Sequence, residues 1–142
     1  MKKNLLAIGT IVLSTMLHAQ CGKNVTWMSS KTEYLDSSGQ VEDAKAMATS
    51  LQTTANHITV TVEEGGGDIL QGDIRDLTCE WKEAYKNGRS HFSALMAKSN
   101  GETREATFTI EAKDGKIVII VEVERMQGRK MRILIDNYKE DA

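Results

Sequence analysis

Few side chains in this sequence are equipped for chemistry. Cys21 and Cys79 are the two cysteines of the 142-residue chain. In an oxidising compartment such a pair forms a disulfide. Closing the 58-residue separation would stabilise the fold by about 4 kcal/mol on the chain-entropy account. His57 and His91 are the histidines outside the first twenty residues, and a zinc site needs three or four ligands in a tight cluster. With no further ligands in view, both read as solvated side chains near strand ends, and no metal is expected. Glu63, Glu64, Asp68, Asp73 and Asp76 crowd around Gly65-Gly66-Gly67. They lack the ligand positions of a calcium loop and read as a soluble hairpin tip. The triple glycine is no phosphate loop, because no Lys-Ser/Thr and no helix follow it. Ser90 and His91 are adjacent, so on a strand they face opposite sides and cannot act as nucleophile and base. No acid, base and nucleophile come together, so neither an enzyme nor a cofactor is expected.

The first residues read as an export leader. Lys2 and Lys3 are followed by an apolar run from Leu5 to Leu17 and by a small residue, Ala19. The run is too short for a resident transmembrane helix. This predicts a signal peptide over 1–19, a single domain over 20–142 and a periplasmic or secreted location. Lipidation at Cys21 is disfavoured, because His18 and Gln20 depart from the residues that precede a lipidated cysteine. Loss of the +2 of Lys2 and Lys3 takes the net charge from −2 to −4, which argues against nucleic acid as a partner.

The elements that must position these residues are written in turn signals. Asn87-Gly88, Asn100-Gly101, Asp114-Gly115 and Gln127-Gly128 recur at a nearly constant spacing, with segments of alternating polarity between them. Asn-Gly and Asp-Gly supply the positive φ angles of tight hairpins. Val25 to Leu35 reads as a first strand. Val41, Ala44, Ala48, Leu51 and Ala55 repeat at three and four residues, which predicts a helix over 41–55, with a strand over its second half as the rival. From His57 the period is two. Apolar residues fall on even numbers through Ile74 and on odd numbers from Leu77, so a turn or bulge is expected near Arg75-Asp76. One strand before the helix and seven after it predict an all-β fold. It is a small antiparallel up-and-down barrel of about eight strands, with one helix after the first strand; a sandwich is the alternative.

The inward positions include Trp27, Trp81, Phe92, Met96, Phe108, Ile119 and Ile133, which would either line a ligand cavity or fill it. No inward Arg stands out to meet a carboxylate. Arg125, Arg129, Lys130 and Arg132 cluster at the last turn, as a docking spot for an acidic partner or as a charged hairpin tip. Val118, Ile120 and Leu134 are apolar on the opposite face, where the helix or a partner would cover them.

An early strand with a Trp, a helical segment and a meander resembles the lipocalin and fatty-acid-binding superfamily. Trp27 stands where that family has the Trp of Gly-x-Trp, with Val25 in the Gly position, and Arg132 corresponds in chain order to a late Arg packed on the Trp. The resemblance implies a non-catalytic exported protein holding a small apolar ligand. An envelope interaction module or inhibitor with a filled core is the second expectation. A hydrolase without a recognisable motif is the third.

Overall fold

Alternation of apolar and polar residues at period two is the pattern of a strand with one buried face, and it continues through almost the whole domain. A computed structural model describes residues 21–63, 67–125 and 128–141. The residues read as the leader lie outside these ranges, as do Glu64, Gly65, Gly66 and Gln127.

The strands are β1 (Asn24–Leu35), β2 (Val41–Thr53), β3 (His57–Val62), β4 (Asp68–Glu83), β5 (Asn87–Lys98), β6 (Thr103–Lys113), β7 (Lys116–Val123) and β8 (Lys130–Asp141). Each pairs antiparallel with the next, and β8 returns to β1, so the sheet is a closed barrel. Closure leaves few free edges. It also gives the barrel two ends. One carries the β2–β3, β4–β5 and β6–β7 turns and both strand termini; the other carries the remaining four turns.

The expected helix over 41–55 is absent, because this segment is β2. Its helical period rested on small side chains that gain little from burial, and Val41, Ala44 and Ala48 are exposed in the fold. From Met47 onward the segment obeys period two. Met47, Thr49, Leu51 and Thr53 point inward, and Thr favours a strand over a helix. Val118, Ile120 and Leu134 therefore have no helix over them and lie half-buried on the outer wall.

The eight strands have a different membership from the expected eight. The parity change at Arg75-Asp76 does not end a strand. It is a bulge inside the continuous β4, with a register shift between Arg75 and Thr78 and a positive φ at Asp76. A second irregularity in β1, between Ser29 and Lys31, has no counterpart in the apolar pattern. The Ser29 hydroxyl donates to the Lys31 carbonyl and accepts from its amide.

The turn ladder is met at Asn100-Gly101 and Asp114-Gly115. Asp114 and Gly115 both take positive φ in the two-residue β6–β7 turn, and Gly101 does so after β5. Asn87-Gly88 is not a turn. It opens β5, and the chain reverses at 84–86 with Tyr85 at φ 63°. Gly88 instead lies opposite Trp81, where a Cβ would approach the Glu80 carbonyl oxygen to 2.4 Å and the Trp81 Cα to 2.6 Å.

The expected Cys21–Cys79 disulfide is present, with a Cα–Cα distance of 6.2 Å. It carries the segment before β1 across the barrel end to β4, on the far side from β1.

We expect Gly88→Ala to lower unfolding stability by roughly 2 kcal/mol, read from denaturant midpoints, because the clash is with backbone and cannot relax cheaply. Reducing the disulfide should cost about 4 kcal/mol in the same assay.

Candidate functional site

The two halves of the interior are filled unequally. At the end crossed by the disulfide, Trp27, Trp81, Phe92, Ile58, Ile117 and Ile119 are all buried. Both indoles have hydrogen-bond partners. Trp27 Nε1 donates to Thr53 Oγ1 at 3.0 Å, and Trp81 Nε1 donates to Ser90 Oγ at 2.8 Å. The rings of Phe92 and Phe108 stack at 5.2 Å. Beneath Cys21 a void of only about 30 Å³ is left, room for about one water. Outside this end Tyr85 stacks on Tyr138 at 4.3 Å and donates its hydroxyl to Glu140.

The other half is hollow. A cavity of about 430 Å³ opens at the end bearing the β1–β2, β3–β4, β5–β6 and β7–β8 turns. Its wall is mainly apolar, with Val60, Leu70, Met96, Phe108, Val121 and Ile133 among the lining residues. Small inward side chains leave the space. Thr32, Thr49, Ala106 and Val62 stand here where the other end has indoles. The β1 bulge decides what faces this space. Before it Val25, Trp27 and Ser29 point inward; after it Thr32 and Tyr34 do. Without that shift of parity the charged Lys31 and Glu33 would face the cavity.

At the rim Asp68, Lys98, Glu102 and Arg104 supply two anions and two cations. Arg104 lies opposite the inward Met96, and Lys98 lies opposite Leu70. Cross-strand partners share a face, so both cations belong to the inward columns. The expectation of no inward Arg is therefore corrected. The signal was legible, because Arg104 has the same even parity as Ala106 and Phe108.

Of the seven side chains singled out for ligand contact, Met96, Phe108 and Ile133 line the cavity. Trp27, Trp81, Phe92 and Ile119 are buried but absent from its wall. Sequence reasoning missed Thr32 and Tyr34, hidden by the bulge, and Met47 and Thr49, hidden by the helical reading.

The basic cluster is largely paired. Arg129 meets Glu42 at 3.5 Å, Lys130 meets Glu122 at 3.1 Å and Arg132 meets Glu33 at 2.9 Å. Arg125 sits in the exposed β7–β8 turn. Arg132 does not pack on Trp27, whose neighbour on β8 is Tyr138. His57 contacts Asp73 and Gln71, and His91 contacts Thr109, at 2.9–3.3 Å on the outer wall. Ser90 points inward, so it and His91 are on opposite faces. No group of three or more metal-binding side chains occurs among the described residues. A larger hollow of about 880 Å³ runs past Glu80, Arg89 and Glu111, but it is an open outer groove with charged walls.

No helix among the described residues is long and apolar enough to cross a membrane. The outward positions of β6 are Thr103, Glu105, Thr107, Thr109 and Glu111, whose neighbours on β5 include Arg89 and His91. That is the inverse of the apolar outer band of a membrane-spanning barrel. The chain matches no known family, no curated protein and no solved structure.

Burial, followed by the hydrogen bond to Glu140, raises the Tyr85 hydroxyl well above the ordinary tyrosine range. The folded protein then keeps a proton that the unfolded chain loses near pH ~10. Stability from this group is full below that pH and is lost progressively above it, as pH rises toward the higher folded-state pKa. We expect the urea midpoint to fall from about pH 10 upward, and Tyr85→Phe to flatten that fall.

Proposed function

We propose that this is a non-catalytic, exported binding protein that holds one small apolar molecule in the open half of its barrel. The cavity carries the reading. Its volume of about 430 Å³ lies within the range of small-molecule sites, and apolar walls with a few polar groups are the usual lining. An eight-stranded barrel is the size that either fills with side chains or holds one small ligand.

Export is supported by the Cys21–Cys79 bridge, since disulfides persist in oxidising compartments. A periplasmic or secreted location is the form this takes. The absence of a catalytic role is supported by how the reactive side chains are used. Ser90 holds an indole, and the two histidines contact polar neighbours on the outer wall.

The second reading is a protein-interaction surface, and it rests on the apolar outer strip of Val118, Ile120 and Leu134. Three of the four clustered cations are engaged with carboxylates of the same chain, which leaves less free charge to steer an acidic partner.

The test is binding of a fluorescent apolar probe such as N-phenyl-1-naphthylamine by the disulfide-bonded protein. We expect one saturable site. Ala106→Phe projects a ring into the cavity and should weaken the probe at least tenfold, with the thermal midpoint unchanged or higher. Unsaturable binding, or tight binding that survives Ala106→Phe, would sink the proposal.

A further inference from the structure

The barrel closes, yet one strand outruns its neighbour. β2 has 13 residues and β3 has 6. Only Thr49–Thr53 of β2 pair with β3. Residues 41–46 pair with β1 on one side, and among the described residues no strand pairs with them on the other. All six are exposed, Val41 by 48%. An open edge of this kind is a template for another strand.

Two hydrogen bonds show which residues address the open side. The Ala48 carbonyl accepts from the Glu63 amide at 3.1 Å, so Ala48 faces the β3 side. Backbone groups alternate sides along a strand, so Ala46, Ala44 and Glu42 face that side too. The Ala44 amide agrees with this. It donates to its neighbour Asp43 Oδ1 at 2.8 Å and to no strand.

We propose that residues 42–46 of β2 are a dimerisation edge, to which the same segment of a second copy adds antiparallel about Ala44. The inference stands apart from the ligand-holding reading. Centred there, Ala44 faces Ala44, and each Glu42 faces Ala46 of the other copy. These three pairs exchange about six backbone hydrogen bonds. Between them each Asp43 faces Lys45 of the other copy, in the pairs where side chains stand closer. The two neighbouring registers that keep the same backbone groups facing set Asp43 against Asp43 or Lys45 against Lys45. Charge therefore selects one register, and the contact is a closed two-fold one that repeats no further along this edge. Within the chain both charges are available for it. Asp43 is held by the Ala44 amide and Lys45 lies over the Tyr34 ring at 5.7 Å, and neither has an ion-pair partner among the described residues. Glu42, in contrast, meets Arg129. Charged side chains on an edge ordinarily repel added strands. Here they repel a generic strand and match a second copy.

The test is sedimentation equilibrium of the disulfide-bonded protein at concentrations up to about 1 mM, where even a weak contact registers. Wild type is compared with Asp43→Lys, with Lys45→Asp and with an equimolar mixture of the two variants. Both positions are exposed, so the thermal midpoints should match wild type. We expect a wild-type dimer, with self-association of each variant weakened roughly tenfold or more. We expect the mixture to recover the dimer, because the two substitutions then face each other with opposite charge. A wild type that stays monomeric throughout overturns the proposal. So does a dimer that survives in both variants at wild-type strength, and so does a mixture no more dimeric than its components.

Discussion

The pairing of β1 with both β2 and β8 closes the sheet, and every other feature of this molecule answers to that closure. A closed eight-stranded sheet has an interior of fixed width. Inward side chains must then either meet in the middle or leave a hole. In the half toward the strand termini, two tryptophans, Phe92 and several isoleucines meet, and the segment tied by Cys21 to Cys79 crosses above them. In the half toward the rim the inward side chains are short, and about 430 Å³ stays open. The barrel thus has a solid base and a hollow cup, with Ile119, Ile133 and Leu51 at the boundary.

Two bulges make this division possible. A strand alternates strictly, so a chain with an inward Trp27 would also face Lys31 and Glu33 inward. The irregularity at Ser29 to Lys31 prevents this and turns Thr32 and Tyr34 toward the cup. The β4 bulge does the same work across the barrel. It lets Leu70 serve the cup while Leu77, Cys79 and Trp81 serve the base. The ion pairs of Arg132 with Glu33 and Lys130 with Glu122 then tie the strands around the rim on the outside.

How much of this was legible depends on which residues carried the signal. β6 and β7 were fully legible, because Ala106, Phe108, Ile110, Ile117, Ile119 and Val121 keep strict parity between turns that demand positive φ. The β4 bulge was legible for the same reason, since large apolar residues stand on both sides of the parity change. The β1 bulge was not, because Ser29 and Thr32 are polar residues buried without an apolar pattern to report them. β2 was misread because alanine spacing mimics a helix when the residues are exposed and small. Its inward threonines were counted as weak helix formers when they were the cup wall. Thr32, Tyr34, Met47 and Thr49 were hidden by those two errors, whereas Met96, Phe108 and Ile133 were found by alternation alone.

The account makes the cup, and not the base or the outer wall, the place where a ligand sits. Methyl-resolved NMR during titration with 1-decanol tests that directly. Shifts are expected at the cup-lining Leu51, Val60, Val62, Leu70, Val121, Val123 and Ile133, with Ile58 and Ile117 at the base unmoved. Shifts concentrated on Val118, Ile120 and Leu134, or no saturable shift at all, would contradict it.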